Sequence, residues 1–121
     1  MSSEPNQLLV ERVARAMNRV LIRDRCITYP KLLCEMGVLS REDLDSWRRG
    51  KVSCLERVIR MNLTRLGRVQ TAVRRLAVER GLRRGIVPAL PLRPYSKTGH
   101  PLVEEEYCAV YREGNPKTLG I

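Results

Sequence analysis

Leu9, Val10, Val13, Met17, Val20 and Leu21 recur at steps of three and four near the start of the chain, while Arg12, Arg15, Arg19 and Arg23 fall on the opposite side of the same helical wheel. This spacing predicts an amphipathic helix over residues 5–24 with one buried and one basic face. Ser3 supplies an N-cap oxygen, Glu4 suits the positive end of the helix dipole, and Pro5 is tolerated in a first turn whose N–H groups have no intrahelical partner. The arginine side serves either as a phosphate-contacting stripe or as a solvated face that keeps the domain soluble.

The pattern then shortens. Thr28 is placed to cap a short helix that carries Leu32, Leu33 and Met36 inward, and Gly37 supplies the left-handed residue that commonly ends a helix. After Val38 and Leu39, Ser40 with Asp43 three residues on marks a second capped start, with Leu44 and Trp47 inward and Gly50 as the stop. Beyond it, Leu55, Ile59, Asn62, Leu66, Val69, Val73 and Leu76 alternate steps of four and three, which predicts one long helix over residues 53–80 with a heptad-like seam. The first helix of the same chain or a second copy in a dimeric coiled coil covers that seam, and in the dimer a buried Asn62 fixes register. Gly67 in its interior costs about 1 kcal/mol relative to Ala and points to close helix approach or a slight bend.

Pro88, Pro91 and Pro94 exclude a regular helix from the following run, which is expected to be extended as a strap or at most an edge strand. Residues 95–100 read as a turn, an ordinary surface loop unless its hydroxyls, lysine and tyrosine meet a phosphate or base. Pro101 opens a last short helix, with Glu104, Glu105 and Glu106 as dipole partners and solubilising charge, and Val103, Tyr107, Val110 and Tyr111 as its docking stripe. The tail from Gly114 is expected to fray. The expectation is therefore an all-α, mainly helical fold of four to five helices in one domain, with residues 1–81 as the helical core and 82–121 as strap, short helix and tail.

Composition narrows the function. The 121 residues include one Trp, four Tyr and no Phe, so Leu, Val, Ile and Met must build the core. No apolar run approaches the roughly 20 residues of a membrane span, and the start lacks an export pattern, so a cytoplasmic protein with no membrane partner is expected. Cys26, Cys34, Cys54 and Cys108 lack zinc or disulfide spacing and read as free thiols. The 23 Lys and Arg against 13 Asp and Glu give a formal charge of +10, which favours an acidic partner. Arginine enrichment through codon usage is the bland source of such a charge. Its distribution argues otherwise, because residues 57–84 hold nine arginines and a single carboxylate, Glu79. With one histidine and no phosphate loop, nucleophile elbow or metal spacing, no enzyme, metal or cofactor is expected.

Tyr29 to Lys51, with its apolar pair Leu32-Leu33, Gly37-Val38, polar stretch, Leu44 and Trp47-Arg48-Arg49-Gly50, resembles the helix-turn-helix of phage repressors and related bacterial regulators. The family usually has a small residue where Leu33 stands, and Leu44 and Trp47 come one position later, which lengthens the turn. The resemblance implies a duplex DNA reader with a regulatory role in transcription, in which Arg41, Ser46, Arg48 and Arg49 meet the groove. Arg57, Arg60, Arg68 and Arg75 of the long helix would then bind phosphate. The other reading is a non-catalytic adaptor that docks an acidic protein or ribonucleoprotein through the same arginines. RNA stays open as a target, as does a homodimer through the long helix.

Overall fold

The computed structural model describes residues 4–86 and 94–114; Ser3, most of the proline run and the tail beyond Gly114 lie outside them. The first helix, α1, spans Glu4–Asp24 as its periodicity requires, and Leu9, Val13, Met17 and Val20 are buried. Arg25 closes it at φ 65, donating its N–H to Leu21 O at 2.9 Å. A side chain in this left-handed position costs on the order of 1 kcal/mol, which is why glycine is the usual occupant.

A three-residue strand, β1 (Cys26–Thr28), leads directly into α2 (Tyr29–Glu35), and α3 (Arg41–Arg48) follows the glycine turn. Thr28 Oγ1 accepts from Lys31 N at 3.4 Å, and Ser40 Oγ accepts from Asp43 N at 3.0 Å, so both expected caps form. Gly37 at φ 79 lets its own N–H reach Cys34 O and the N–H of Val38 reach Leu33 O, and Gly50 at φ 78 ends α3 the same way.

The long helix differs from expectation. Leu55–Arg57 form a single 3-10 turn, and α4 begins only at Leu63, running to Glu79. Asn62 is not a seam residue; its Oδ1 accepts from Arg65 N at 2.8 Å as the N-cap of α4. A short amide side chain ends the upstream segment because it satisfies a free helix N–H better from the cap than from a buried seam. Leu55 and Ile59 are still buried, but from irregular backbone. Leu66, Val69 and Val73 pack with α1, so the seam closes within the chain. Gly67 is not explained by close approach, since a Cβ there would meet nothing within 4 Å.

The fold is mainly helical but not all-α. Strand β2 (Arg83–Ile86) is the expected edge strand, while residues expected to extend the last helix form β3 (Ala109–Arg112) instead. The last helix, α5, spans only Pro101–Tyr107. Val110 and Tyr111 are buried from β3, and Val103, expected to dock, is 37% exposed. The antiparallel sheet has the order β1-β3-β2, with Ile27 opposite Tyr111 and Arg84 opposite Tyr111 on the other side. Alternation along β3 turns Ala109 and Tyr111 to the same face as Ile27, and all three are almost fully buried.

Because Gly67 has an ordinary helical φ and open space around its Cα, Gly67→Ala is expected to raise stability by about 0.5–1 kcal/mol in urea unfolding. A loss of stability would mean that something passes close to this turn of α4.

Candidate nucleic-acid interface

Leu44 and Trp47 anchor α3 in the core and leave Arg41, Glu42, Asp45, Arg48 and Arg49 exposed, with Ser46 half-buried. Arg49 Nη2 lies 3.9 Å from Asp45 Oδ2, one helical turn back, with both side chains mostly in solvent. Within α3, Arg41 and Arg48 are outnumbered by Glu42, Asp43 and Asp45, so the helix itself is not cationic. Burial pushes the Cys34 thiol of α2 up in pKa, and the positive charges of Arg41 and Arg48 oppose that shift. The Arg60 backbone lies beside the same turn, its N–H donating to Val38 O at 2.7 Å.

The other arginines expected to act together are divided. Arg57 belongs to the 3-10 turn, where Nη1 donates to Ser53 Oγ at 3.2 Å. Arg68 and Arg75 stand seven residues apart on the outward side of α4, and Arg75 Nε lies 3.4 Å from Glu79 Oε2. Arginines of α1, a solvated face or a phosphate stripe by their spacing alone, border the helix pair. Arg12 Nη2 donates to Met36 O at 3.3 Å, and Arg19 and Arg23 both reach Glu35 of α2, at 3.8 and 2.8 Å.

A polar network that sequence spacing did not reveal holds the back of α3. Trp47 Nε1 donates to Pro94 O at 2.8 Å, and the Trp47 ring contacts Tyr95, which stacks on Tyr107 at 5.5 Å; Tyr107 meets Tyr29 edge-on. Glu104 accepts from Tyr95 N at 2.9 Å, Ser96 N at 2.7 Å and Ser96 Oγ at 2.6 Å. Glu56 accepts from Lys97 N and Tyr107 Oη, and Glu106 from Tyr29 Oη and Arg74 Nη1. Two of the three adjacent acids are therefore structural ligands, while Glu105 is exposed. Tyr95 and Ser96 are likewise committed inward. The signal available in the sequence was the concentration of four of its five aromatic residues at 29, 47, 95 and 107 beside distant acids, and nothing local announces that they meet.

Burial, reinforced by Tyr111 and Glu106 at Tyr29 and by Glu56 at Tyr107, raises those two hydroxyls far above the ordinary phenol range, and burial beside Cys108 pushes Tyr95 up to about 12. A groove of about 240 Å³ between α4 and α5 is lined by Leu63, Leu66, Val103, Tyr107 and Glu56, whose carboxylate is already occupied as described. Among the described residues no three His, Cys, Asp or Glu side chains are placed to hold a metal ion, and His100 Nδ1 accepts from Leu102 N at 3.2 Å to cap α5. The four cysteines are unbonded, and no described helix is long and apolar enough to cross a membrane. Comparison with known protein families, characterised proteins and solved structures finds no match.

Glu104→Ala leaves two backbone N–H groups and the buried Ser96 hydroxyl without their acceptor, so a loss on the order of 3 kcal/mol is expected in urea unfolding followed by Trp47 fluorescence. A loss under about 1 kcal/mol would show that water replaces the carboxylate. At high pH the unfolded chain releases phenol protons near pH 10 that the folded chain retains. Stability linked to Tyr29, Tyr95 and Tyr107 is therefore complete below about pH 10 and falls as pH rises through their raised values. Phenolate absorbance should then rise cooperatively with the loss of the Trp47 signal; independent titration of all tyrosines near pH 10 would contradict this.

Proposed function

We propose that the protein is a small, basic, non-catalytic binder of duplex DNA with a regulatory role in transcription. The observation that carries this reading is the capped, glycine-turned pair α2–α3, which leaves Arg41, Arg48 and Arg49 outward and brings Arg60 beside its turn. A short exposed helix braced from behind by Trp47 is a rigid element of the size that enters a major groove. Because α3 with its C-cap Arg49 carries as many acids as arginines, most affinity is expected from phosphate contacts around it, through Arg57, Arg60, Arg68 and Arg75, with α3 contributing preference between sequences. The aromatic residues favour a duplex over a single strand, because all of them are packed inside or stacked on one another and none offers an open platform for a base.

A second reading draws on Glu42, Asp43 and Asp45, which repel a phosphate backbone. In it the helix pair is purely structural, and the arginines of α4 dock an acidic protein or ribonucleoprotein.

Binding to duplex DNA, duplex RNA and heparin across a salt series separates the two. For the DNA reader, Arg41→Ala with Arg49→Ala is expected to abolish preference among DNA sequences, at about 1–3 kcal/mol for each base that is no longer read. Arg68→Ala should instead weaken all sequences alike and reduce the salt slope by about 0.9. Equal affinity for heparin and every duplex, unchanged in the double variant, would favour the adaptor.

A further inference from the structure

Register places a row of cations across the sheet. Arg112 of β3 is paired directly with Cys26 of β1 on one side and with Arg83 of β2 on the other. Directly opposed residues project to the same face, with strands about 4.8 Å apart, so Arg112 and Arg83 stand side by side. Lys31 Nζ lies 3.6 Å from Cys26 Sγ and extends the row past β1. Arg25, exposed and held in its left-handed conformation, immediately precedes Cys26.

Like charges directly opposite one another destabilise a strand pair. Arg83 and Arg112 are both exposed, and neither has a salt bridge among the described residues. The acids nearest in sequence do not relieve them: Asp24 is taken by Arg23 at 3.3 Å, and Glu113 is exposed and makes no ion pair among the described residues. An anion seated between the two guanidiniums turns their repulsion into a shared contact, and paired guanidinium groups match phosphate oxygens well.

We propose that Arg83, Arg112 and Lys31 form a phosphate-binding strip that holds the sugar–phosphate backbone of duplex DNA; the proposal rests on the DNA-binding reading above. Its place in the fold gives it a task beyond affinity. β1 runs without a break into α2, and Lys31 lies in the first turn of that helix, so a backbone held on the strip sets where α2–α3 meets the duplex.

The test uses the full chain with Arg83→Gln and Arg112→Gln together. The slope of log affinity against log salt for duplex DNA is expected to fall by about 1.8, two phosphates at about 0.9 each, which is about a 60-fold loss at 0.1 M salt against a 1 M reference. Preference among sequences should persist, and the melting temperature should hold or rise because a repulsive pair is gone. Lys31→Gln, which disturbs no strand pairing, should lower the slope by about 0.9. Arg83→Lys with Arg112→Lys should keep the wild-type slope. A wild-type slope in both glutamine variants overturns the strip and leaves the DNA-binding reading standing. Inorganic tripolyphosphate supplies the second arm, read as a rise in melting temperature. If wild-type protein ignores duplex DNA yet is stabilised by tripolyphosphate, and the double glutamine variant is not, the DNA-binding reading fails and the strip stands as a polyphosphate site. No binding in either arm overturns both.

Discussion

A single carboxylate, Glu104, carries more of this structure than its position in a run of three acids implies. Residues 94–96 pass against Trp47 of α3, Ser96 is only 2% exposed, and backbone taken from water there must find partners within the protein. Glu104 accepts three of those donors, and the segment it fixes gives Pro94 O to Trp47 and to Leu55 N, and Tyr95 O to Glu56 N. The orientation of α3 follows from that strap, because Trp47 is its largest anchor and, among the described residues, its only side-chain hydrogen bond to the strap. Removing Glu104 therefore acts on the exposed face of α3 without touching a residue of that helix.

Local chemistry made much of the fold legible. The periodicity of α1, the Thr28 and Ser40 caps and the Gly37 and Gly50 stops each involve residues within a few positions of one another, and each forms as read. Competition between equally local signals caused the misreading of residues 53–80: the apolar spacing runs through Asn62, yet its side chain is worth more as a cap. The last helix failed for another reason. Four residues, Ala109–Arg112, are too few to show a strand period, and their pairing with residues more than 80 positions away has no local trace. The same blindness hid the carboxylate network and the opposed arginines. Of the candidate site, the helix pair was legible, whereas the division of the surrounding arginines between the turn, the 3-10 segment and α4 was not.

The charge of the protein is arranged rather than simply abundant. Glu35 holds Arg19 and Arg23 against α2, Glu106 ties Arg74 to Tyr29, and Asp45 and Glu79 answer arginines one turn away on their own helices. These acids fix cations in place without cancelling the excess of ten positive charges. What remains is an α3 whose acids and arginines nearly balance, while exposed arginines stand on α1, α4 and the sheet.

The strand order β1-β3-β2 also dictates a sequence of events in time. The first strand made has no neighbour until the last one arrives, and the middle of the sheet is synthesised after both of its edges. On the ribosome, α1 and α4 have the means to pair early, while Ile27 waits for Tyr111, made 84 residues later. Closure of the sheet is thus a late, long-range step that slows folding relative to a simple helical bundle. A message truncated before β3 would yield a helical intermediate with an open apolar flank, the kind of species that chaperones and proteases recognise.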